Sequence, residues 1–353
     1  MGLNISIRID GLPDPDLAMA DRVVVHQRMG QATQFSIHYS VDISNGDIRK
    51  LQESRIGPGS TISIFVPNES ELMKCLAKGP VFSQRINLQH GGAGSEMEVQ
   101  GADSTIIMER EFKSRVWSNV TDSEAVISIV SGYQLIPDIA STNARHIETN
   151  NNLVQRSNDL QFVRRLARRN GFHFWLSCNE LGVETAHFKR PPLDRQTVAD
   201  LVINHPDNNM QQMEISWDVE RPTQVVGTQL DTTNKQILDS NLNGAPQTSL
   251  GNKALMDIAG RDVRSIHVTA PSDDGGDMRA RGEGALLESD WFISARCNTS
   301  YNQLKKIVQT YDLVNVIGAG NRHSGKYLVS EVRHIIDAVS HQMQIGLIRN
   351  GWE

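Results

Sequence analysis

Residues 1–115 carry short segments in which apolar and polar side chains alternate. In one of them Ile62, Ile64 and Val66 alternate with Ser63 and Phe65. Because successive side chains of a strand point to opposite faces of a sheet, this pattern predicts strands. Strands are predicted at 4–10, 34–43, 60–67, 81–89 and 96–101. The glycine-rich segment 91–94, between the last two, predicts a hairpin turn.

The period changes to that of a helix after residue 121. A first helix is predicted at 122–133, where Thr121 and Glu124 have the spacing of a capping box. A second helix begins after Ser157 or Asn158 and ends near Gly171, which can take the left-handed conformation that closes a helix. Its apolar stripe consists of Leu160, Val163, Leu166 and Ala167. Strands at 172–177 and 182–188 follow, so this region is α+β.

Strand patterns return in the last third of the chain. Strands are predicted at 213–219, 223–230, 292–298, 313–317, 327–336 and 342–349. The polar stretch 231–252 predicts an exposed loop or a long hairpin, and a helix is predicted at 277–289 despite Gly282 and Gly284. The fold class is therefore mainly β with an α+β insertion, in three domains: 1–115, 116–205 and 206–353.

The composition narrows the possible functions. Hydrophobic residues make up 39% of the 353 residues and charged residues 22%, as in globular proteins, and no apolar run is long enough to span a membrane. A net charge of −6 gives no electrostatic basis for binding nucleic acid. Residues 1–10 alternate like a strand and lack a secretory signal, so we expect synthesis in the cytoplasm. The three cysteines, Cys75, Cys178 and Cys297, are expected to be reduced.

A partial phosphate-loop motif occurs at 320–326, but it lacks the context that such a loop needs. Tyr327 takes the place of the Ser or Thr that would hold magnesium, and a strand is predicted to follow instead of a helix. We interpret the segment as a glycine turn between strands. The acidic segment 273–277 lacks calcium-loop spacing and is interpreted as a solvated turn before a helix.

Two Glu-x-x-His pairs resemble half of a di-iron motif, which requires a helix. Glu184 with His187 and Glu331 with His334 both fall in predicted strands, where residues three apart face opposite ways. No nucleophile elbow, His-Glu-x-x-His helix or cysteine–histidine signature occurs in the sequence. We predict no catalytic residue, no metal site and no cofactor. We therefore expect that the protein is not an enzyme.

Four arginines occupy the last two turns of the second predicted helix. Arg164, Arg165, Arg168 and Arg169 lie where cations interact favourably with the helix dipole. Because the net charge is negative, we favour a solvated surface or an inter-subunit contact over a nucleic-acid interface. These four are the candidate contact residues.

Three segments, in order along the chain, resemble one known family. Residues 155–175 resemble the helix and aromatic strand of the phage late-control gene D proteins, tail hub proteins that also form the N-terminal module of VgrG proteins in type VI secretion. Residues 97–110 are similar to that family's "v-x-G-x-D" strand end. Residues 324–334 are similar to its "s-G-x-Y-x-V-x-x-v-x-H" strand.

The resemblance implies a homotrimer in which each subunit contributes two tube-protein-like antiparallel β-barrel domains, at 1–115 and 206–353. Three copies would form a pseudo-sixfold ring that meets a hexameric tail tube on one face and a threefold spike on the other. Because the sequence ends at Glu353, we expect the spike to be a separate protein. Other baseplate proteins and a tape measure protein are further expected partners, in a phage tail or a phage-tail-like particle.

Two alternatives from other functional classes remain open. A tail-associated cell-wall hydrolase would need two carboxylates that converge in an open cleft, which sequence motifs do not reveal. A carbohydrate-binding module for host attachment would need clustered exposed tryptophans. The five tryptophans, Trp117, Trp175, Trp217, Trp291 and Trp352, are scattered along the chain.

Overall fold

The computed structural model describes residues 5–41, 56–69, 73–90, 94–148, 152–231, 235–260, 263–268 and 275–353. The fold is mainly β, as the sequence predicts. The first region consists of strands β1 (Ser6–Ile9), β2 (Leu12–Pro13), β3 (Arg22–Arg28), β4 (Gln34–Ser40), β5 (Thr61–Val66), β6 (Lys74–Asn87) and β7 (Glu96–Ala102). Short 3₁₀ helices lie at Leu17–Met19 and Ser104–Glu109.

The middle region is α+β. Its elements are β8 (Lys113–Trp117), β9 (Val120–Thr121), α1 (Asp122–Gly132), β10 (Ile136–Ile139), β11 (Arg145–His146), β12 (Leu153–Ser157), α2 (Asp159–Arg169), β13 (His173–Cys178) and β14 (Glu184–Lys189). Both predicted helix starts are confirmed: Thr121 and Glu124 form the capping box, and the Asn158 side chain caps α2. Gly171 closes α2 with a φ of +65°.

The last region returns to strands and adds one long helix. Its elements are β15 (Ala199–Val202), β16 (Met213–Trp217), β17 (Gln224–Asp231), β18 (Gln236–Asn243), β19 (Lys253–Ala254), α3 (Leu255–Ala259), β20 (Ser265–His267), α4 (Gly275–Ser289), β21 (Ile293–Ser300), α5 (Tyr301–Leu304), β22 (Leu313–Ile317), β23 (Gly325–Asp337), β24 (His341–Arg349) and β25 (Gly351–Trp352). The polar stretch after 231 contributes β18, which pairs antiparallel with β17. It is therefore a long hairpin.

One sheet joins the first and last regions. Its strand order is β16-β21-β24-β23-β3-β4-β7-β6-β5-β1-β2, and β22, with β15 beside it, also pairs with β23. The joint is the antiparallel ladder between β23 and β3, which runs from Glu331 opposite Arg28 to Asp337 opposite Arg22. We call this ladder the seam. Backbone hydrogen bonds therefore connect two regions that are far apart in sequence.

Each side of the seam has its own hydrophobic core. The first cluster is built mainly from β1 and β3 to β7 and includes Ile37, Ile64 and Val99, while Ile307 and Ile336 reach it from the last region. The second cluster lies under β21 to β24. A third cluster, in the middle region, contains the whole predicted stripe of α2. Burial of apolar surface in these clusters is the main stabilising term of the fold.

The pattern analysis missed β3, the strand at the centre of the sheet. Its residues Val23, Val24 and Val25 are all apolar, and Gln27 is polar although it faces the core. The Gln27 amide donates to the Leu76 carbonyl over 2.8 Å, and its Oε1 accepts from the Thr310 backbone over 3.3 Å. A buried polar side chain is tolerated when its hydrogen bonds are made inside the protein.

Some predictions about boundaries and turns have a different outcome. Residues 199–202, which the predicted middle domain includes, form β15 and pair in parallel with β22 of the last region. The boundaries at 115 and 205 stay predictions. The predicted turn at 91–94 and the acidic segment 273–277 lie partly outside the described residues. Within the described chain, every helix is too short or too polar to cross a membrane.

Candidate functional site

The outer face of the large sheet is polar on both sides of the seam. We call it the polar sheet face. Strand alternation sends apolar side chains to the cores and the intervening polar ones to this face. Its exposed or half-buried members are Glu214, Arg296, Asn298, Gln342, Gln344, Glu331, Arg333, His26, Arg28, Gln34, Ser36, His38, Glu98, Gln100 and Arg85. They come from eight adjacent strands, β16 to β6 in the sheet order.

Strand pairing places these polar residues side by side across the sheet. Glu214 is opposite Arg296, and Arg333 lies between Gln344 and His26. On the same face of the first region, Glu98 is opposite Arg85. Oppositely charged neighbours of this kind stabilise a sheet modestly, and the resulting surface has both signs of charge interspersed.

The seam itself carries a side-chain hydrogen bond on this face. Nε2 of His26 in β3 lies 2.5 Å from Oε1 of Glu331 in β23. Around it is a shallow depression of ≈ 430 Å³, whose walls include Arg296, Arg333 and Gln344. Two apolar residues, Val24 and Ile335, pair with each other on the same face. The depression is polar and open, so it suits hydrated contact better than the enclosure of an apolar ligand.

The four candidate arginines of α2 have different environments. Arg165 and Arg168 are exposed, and Arg165 donates to the Val154 carbonyl over 2.9 Å. Arg164 is half-buried, and its closest carboxylate is Glu109 at 3.9 Å. The contact with another subunit stays a prediction for these residues. Burial lowers the pKa of Arg164, although the guanidinium remains charged at neutral pH.

Arg169 is engaged inside the protein. Its guanidinium binds the Asp122 carboxylate at the start of α1, with one contact of 3.0 Å, and lies 3.6 Å from Asp277 in α4. Burial opposes the charge on Asp122, but hydrogen bonds from His146 and Arg169 outweigh it and lower the pKa of Asp122 to about 2. Asn170 also donates to Asp122, over 2.7 Å. This network links α1, α2 and α4.

The exposed arginine face borders a wide cleft. It has a volume of ≈ 700 Å³ and lies between α2, β13, α4 and the turn after β3. Its lining includes Met29, Arg164, Arg168, Phe172 and Trp291. Apolar walls with a few convergent cationic groups are typical of a protein or ligand contact surface. The cleft lies next to the arginines that the sequence singled out.

Asp103 and Glu184 form an acidic pair close to the centre of the molecule. Burial raises the pKa of both carboxyl groups. Asp103 accepts hydrogen bonds from the Thr33 and Thr105 backbones, and Glu184 accepts one from Ser104 over 2.7 Å. The cavity beside them measures ≈ 50 Å³, well below the roughly 300 Å³ at which ligand pockets begin. Glu184 also lines an open cavity of ≈ 350 Å³ beside Lys78 and Leu181, which Asp103 does not line. Both carboxylates are engaged in structural contacts.

The Glu-x-x-His pairs are each divided between different partners. Glu331 lies on the polar sheet face, whereas His334 is fully buried, with its Nδ1 3.0 Å from Nε2 of His341. Nδ1 of His187 lies 2.6 Å from Oδ2 of Asp138, whereas Glu184 accepts a hydrogen bond from Ser104. The two side chains of this pair therefore have different partners. In the described part of the chain, no three His, Cys, Asp or Glu side chains cluster to hold a metal ion.

The other sequence motifs resolve into turns and packing. The segment 320–326 consists of the turn after β22 and the first two residues of β23, with Gly320 and Gly325 at positive φ. Trp217 is 51% exposed and packs edge-on against Trp352. Trp117 and Trp175 are buried. Sequence motifs did not reveal the polar sheet face, although its signal is present as the polar half of each strand's alternation.

Solved structures with the same fold come from bacterial and prophage tail proteins. The tail protein from Neisseria meningitidis MC58 has a TM-score of 0.64 at 13% identity, over 100% of this chain and 98% of that one. The 43 kDa tail protein of prophage MuSo2 from Shewanella oneidensis has a TM-score of 0.65 at 12% identity, over 98% of both chains. At this identity the likeness shows the fold.

A component of a type VI secretion system is a further structural neighbour. The E. coli c3393 protein has a TM-score of 0.60 at 12% identity, over 97% of this chain and 76% of that one. No curated protein sequence matches the chain significantly. The family model described as the Alg8 N-terminal domain matches residues 3–338, which is nearly the whole chain. The chain therefore belongs to the Alg8 N-terminal domain family.

Proposed function

We propose that this protein is a structural baseplate hub of a contractile tail or injection machine. In this role three copies form a ring that joins a hexameric tail tube to a threefold spike. The observation that carries the proposal is the single sheet that crosses the seam and bears one polar face on both of its halves. The shared fold with tail proteins from two bacteria supports it.

The seam gives a physical reason for this role. A threefold body cannot meet six tube subunits through equivalent contacts unless each subunit presents two similar surfaces. Here each chain carries a β-rich region on either side of the seam, and each region has its own core on one side of the sheet. Three chains would then present six sheet halves around one axis.

The polar sheet face fits the wall of a channel. Arg296, Arg333, Glu214 and Glu98 present both signs of charge, and the buried apolar side chains of these strands, apart from Val24 and Ile335, lie on the opposite side. A hydrated wall of mixed charge offers little apolar area to which a passing chain could adhere. In the assembled ring we place this face toward the axis.

The outer surface would make the protein contacts. Arg164, Arg165 and Arg168, with the neighbouring cleft, are the proposed contact with another subunit or with a further baseplate protein. Arginine and tryptophan are enriched at the energetic centres of protein interfaces, and Trp291 lines the same cleft. The narrower assignment, a gene D-like hub with a separate spike protein in a phage tail or related particle, is part of this proposal.

Mass photometry of the purified protein tests the proposal. The protomer has a mass of 39.3 kDa, so a trimer has three times this mass, about 118 kDa. We expect a 118 kDa species, and class averages from electron microscopy with threefold symmetry. A protein that stays monomeric at high concentration, alone and with its tube protein, would contradict the proposal. Arg164→Glu combined with Arg168→Glu should weaken assembly, while Arg279→Glu, at an exposed site of α4, should not.

A further inference from the structure

A polar cavity lies between the first region and the turn that joins β13 to β14. It has a volume of ≈ 350 Å³. One wall is a face of strands β1, β5 and β6, and the turn contributes Leu181, Gly182 and Glu184 to the other. Ligand pockets begin at roughly 300 Å³, so the cavity is large enough for one small molecule. We call it the turn cavity.

Strand pairing brings two cationic side chains and a hydroxyl group into one row across the strand wall. Arg8 in β1 is directly opposite Ser63 in β5, and Ser63 is directly opposite Lys78 in β6. Side chains that are directly opposite in a sheet lie on the same face. All three line the turn cavity, and Ser63 is 2% exposed. The row therefore presents N–H and O–H donors to an occupant of the cavity.

Arg8 is held in position but has an unused donor. Its guanidinium lies on the ring of buried Phe65, with Cζ 4.0 Å from the ring centroid. Its Nε is buried and makes no hydrogen bond in the described part of the chain. A buried donor without an acceptor is unfavourable, and the planar guanidinium matches the oxygens of carboxylates and phosphates. Because Phe65 already orients the group, an oxyanion that binds it would restrict it little further.

Glu184, on the turn wall, has an unused acceptor. Its Oε2 accepts a hydrogen bond from Ser104 over 2.7 Å and lies 3.8 Å from Nζ of Lys78. Its Oε1 is buried and has no hydrogen-bond partner among the described residues. Nζ of Lys78 also donates to the Gly182 carbonyl over 2.8 Å, which fastens the turn to β6. A ligand that satisfies both walls must therefore carry donors, such as hydroxyl groups, as well as acceptor oxygens.

We propose that the turn cavity binds a small hydroxylated oxyanion, of the size of one sugar acid or of glycerol phosphate. The oxyanion binds the Arg8 guanidinium and the Ser63 hydroxyl, and a hydroxyl group of the ligand donates to Oε1 of Glu184. Asp10 also lines the cavity and is a further acceptor for ligand hydroxyls. Because Arg8 and Lys78 are offset by Asp10 and Glu184, the cavity fits a ligand of low charge with several hydroxyls better than a polyanion.

Methyl NMR of the whole protein, labelled at leucine, tests the site. Leu181 lines the cavity and is 81% exposed, and Leu181→Ile assigns its signals. D-Glucuronate and glycerol 3-phosphate are the probes, one with a carboxylate and one with a phosphate. D-Glucose has hydroxyls without the charge, and propionate has the charge without hydroxyls. We expect saturable shifts of the Leu181 signals with the probe whose oxyanion fits, and about tenfold weaker binding of glucose and of propionate.

Two substitutions connect the binding to the lining residues. Arg8→Gln should weaken it about tenfold, because the charge and the planar donor group are lost. Arg115→Gln is the matched control, since Arg115 also stacks on an aromatic ring, with Cζ 3.7 Å from the Trp117 centroid, but lies outside the cavity lining. It should leave the affinity unchanged. Ser63→Ala, a small change at a buried position, should weaken binding several-fold.

Several results would overturn the inference. These are Leu181 signals that do not move with either probe, glucose or propionate that binds as well as the better probe, and full affinity of Arg8→Gln. If Arg8→Gln did not fold, full affinity of Ser63→Ala would count in its place. All lining residues belong to one protomer, so the inference does not depend on the proposed ring, and none of these results bears on the trimer.

Discussion

The seam between β3 and β23 and the attachment of the middle region hold the molecule together in different ways. The seam is a regular backbone ladder over the length of β3. The middle region instead attaches through individual side chains and one close backbone approach. Trp175 stacks on Tyr311 with ring centroids 3.9 Å apart, Lys78 reaches Gly182, and Arg169 reaches toward Asp277.

This difference has consequences for mutation. Any residue except proline can make the backbone hydrogen bonds of a ladder, so the seam tolerates changes on its exposed face. A buried side-chain contact has no such redundancy, because the loss of one partner leaves the other buried without compensation. Single substitutions should therefore weaken the attachment more than the seam.

The largest expected effect is at the Asp122 network. Asp122→Ala should lower the free energy of unfolding by about 3–5 kcal/mol, because it leaves the Arg169 guanidinium, 12% exposed, without its carboxylate. Chemical denaturation with urea measures the change. Asp122→Asn keeps a hydrogen-bond acceptor and should cost less. Equal stability of the wild type and the alanine variant would show that the network does not stabilise the protein.

The next effect is at the close approach of two helices. A Cβ on Gly284 of α4 would lie 2.9 Å from the Arg168 carbonyl oxygen and from the Gly171 nitrogen. Gly284→Ala should therefore cost roughly 1–3 kcal/mol, although alanine favours helices more than glycine does. Gly132→Ala at the end of α1, where a Cβ meets no atom within 4 Å, is the matched control and should be neutral or stabilising. Thermal unfolding of both variants distinguishes packing from helix propensity.

Acid should weaken both the seam and the attachment of the middle region. Burial lowers the pKa of His173, at the attachment, to about 4, and that of His341, beside buried His334 near the seam, to about 4. Both values lie below the ordinary 6.5, so the unfolded chain binds more protons between pH 6.5 and 4. Stability is therefore fully present above pH 6.5 and falls as the pH drops toward 4.

Urea titrations at several pH values measure this slope. His173→Phe removes one titrating group while it keeps an aromatic ring beside Tyr311, so its stability should depend less on pH over the same window. His205, an exposed histidine, supplies the control. If His205→Phe changed the slope as much as His173→Phe, burial would not be the cause.

The smallest expected effect is on the exposed side of the seam. Arg333→Ala changes a residue that lies between Gln344 and His26 but faces solvent in the protomer. Its free energy of unfolding should stay within about 0.5 kcal/mol of the wild type. Val332→Ala, the next residue on the buried side, should cost more because it leaves a cavity in the core. A larger loss of stability for Arg333→Ala than for Val332→Ala would contradict the assignment of Arg333 to the exposed face and Val332 to the buried face.

The sequence predicted the elements whose pattern is local. The α2 stripe and its Asn158 cap, the capping box of α1 and most strands follow from periodicity and from cap residues. It did not predict β3, because its three consecutive valines hide the alternation and its core-facing Gln27 satisfies its hydrogen bonds only through distant residues. By propensity, Gly282 and Gly284 are unfavourable in α4. Gly284 nevertheless permits a close contact with the end of α2, which lies more than 100 residues earlier in the chain.

The candidate site was harder to predict than the fold. The arginine run was visible in the sequence, but the internal role of Arg169 depends on Asp122 and Asp277, which only the tertiary structure brings near. The polar sheet face required the strand order, because no motif marks residues from eight strands that meet across a seam.

A density map of the assembled particle, from cryo-electron microscopy, tests the central claim most directly. The account predicts three copies of this chain around one axis, six sheet halves lining a channel, and Arg296 and Arg333 of the polar sheet face directed into it. A ring in which this face points outward or is buried against a neighbouring subunit, or a particle that holds a single copy, would contradict the account.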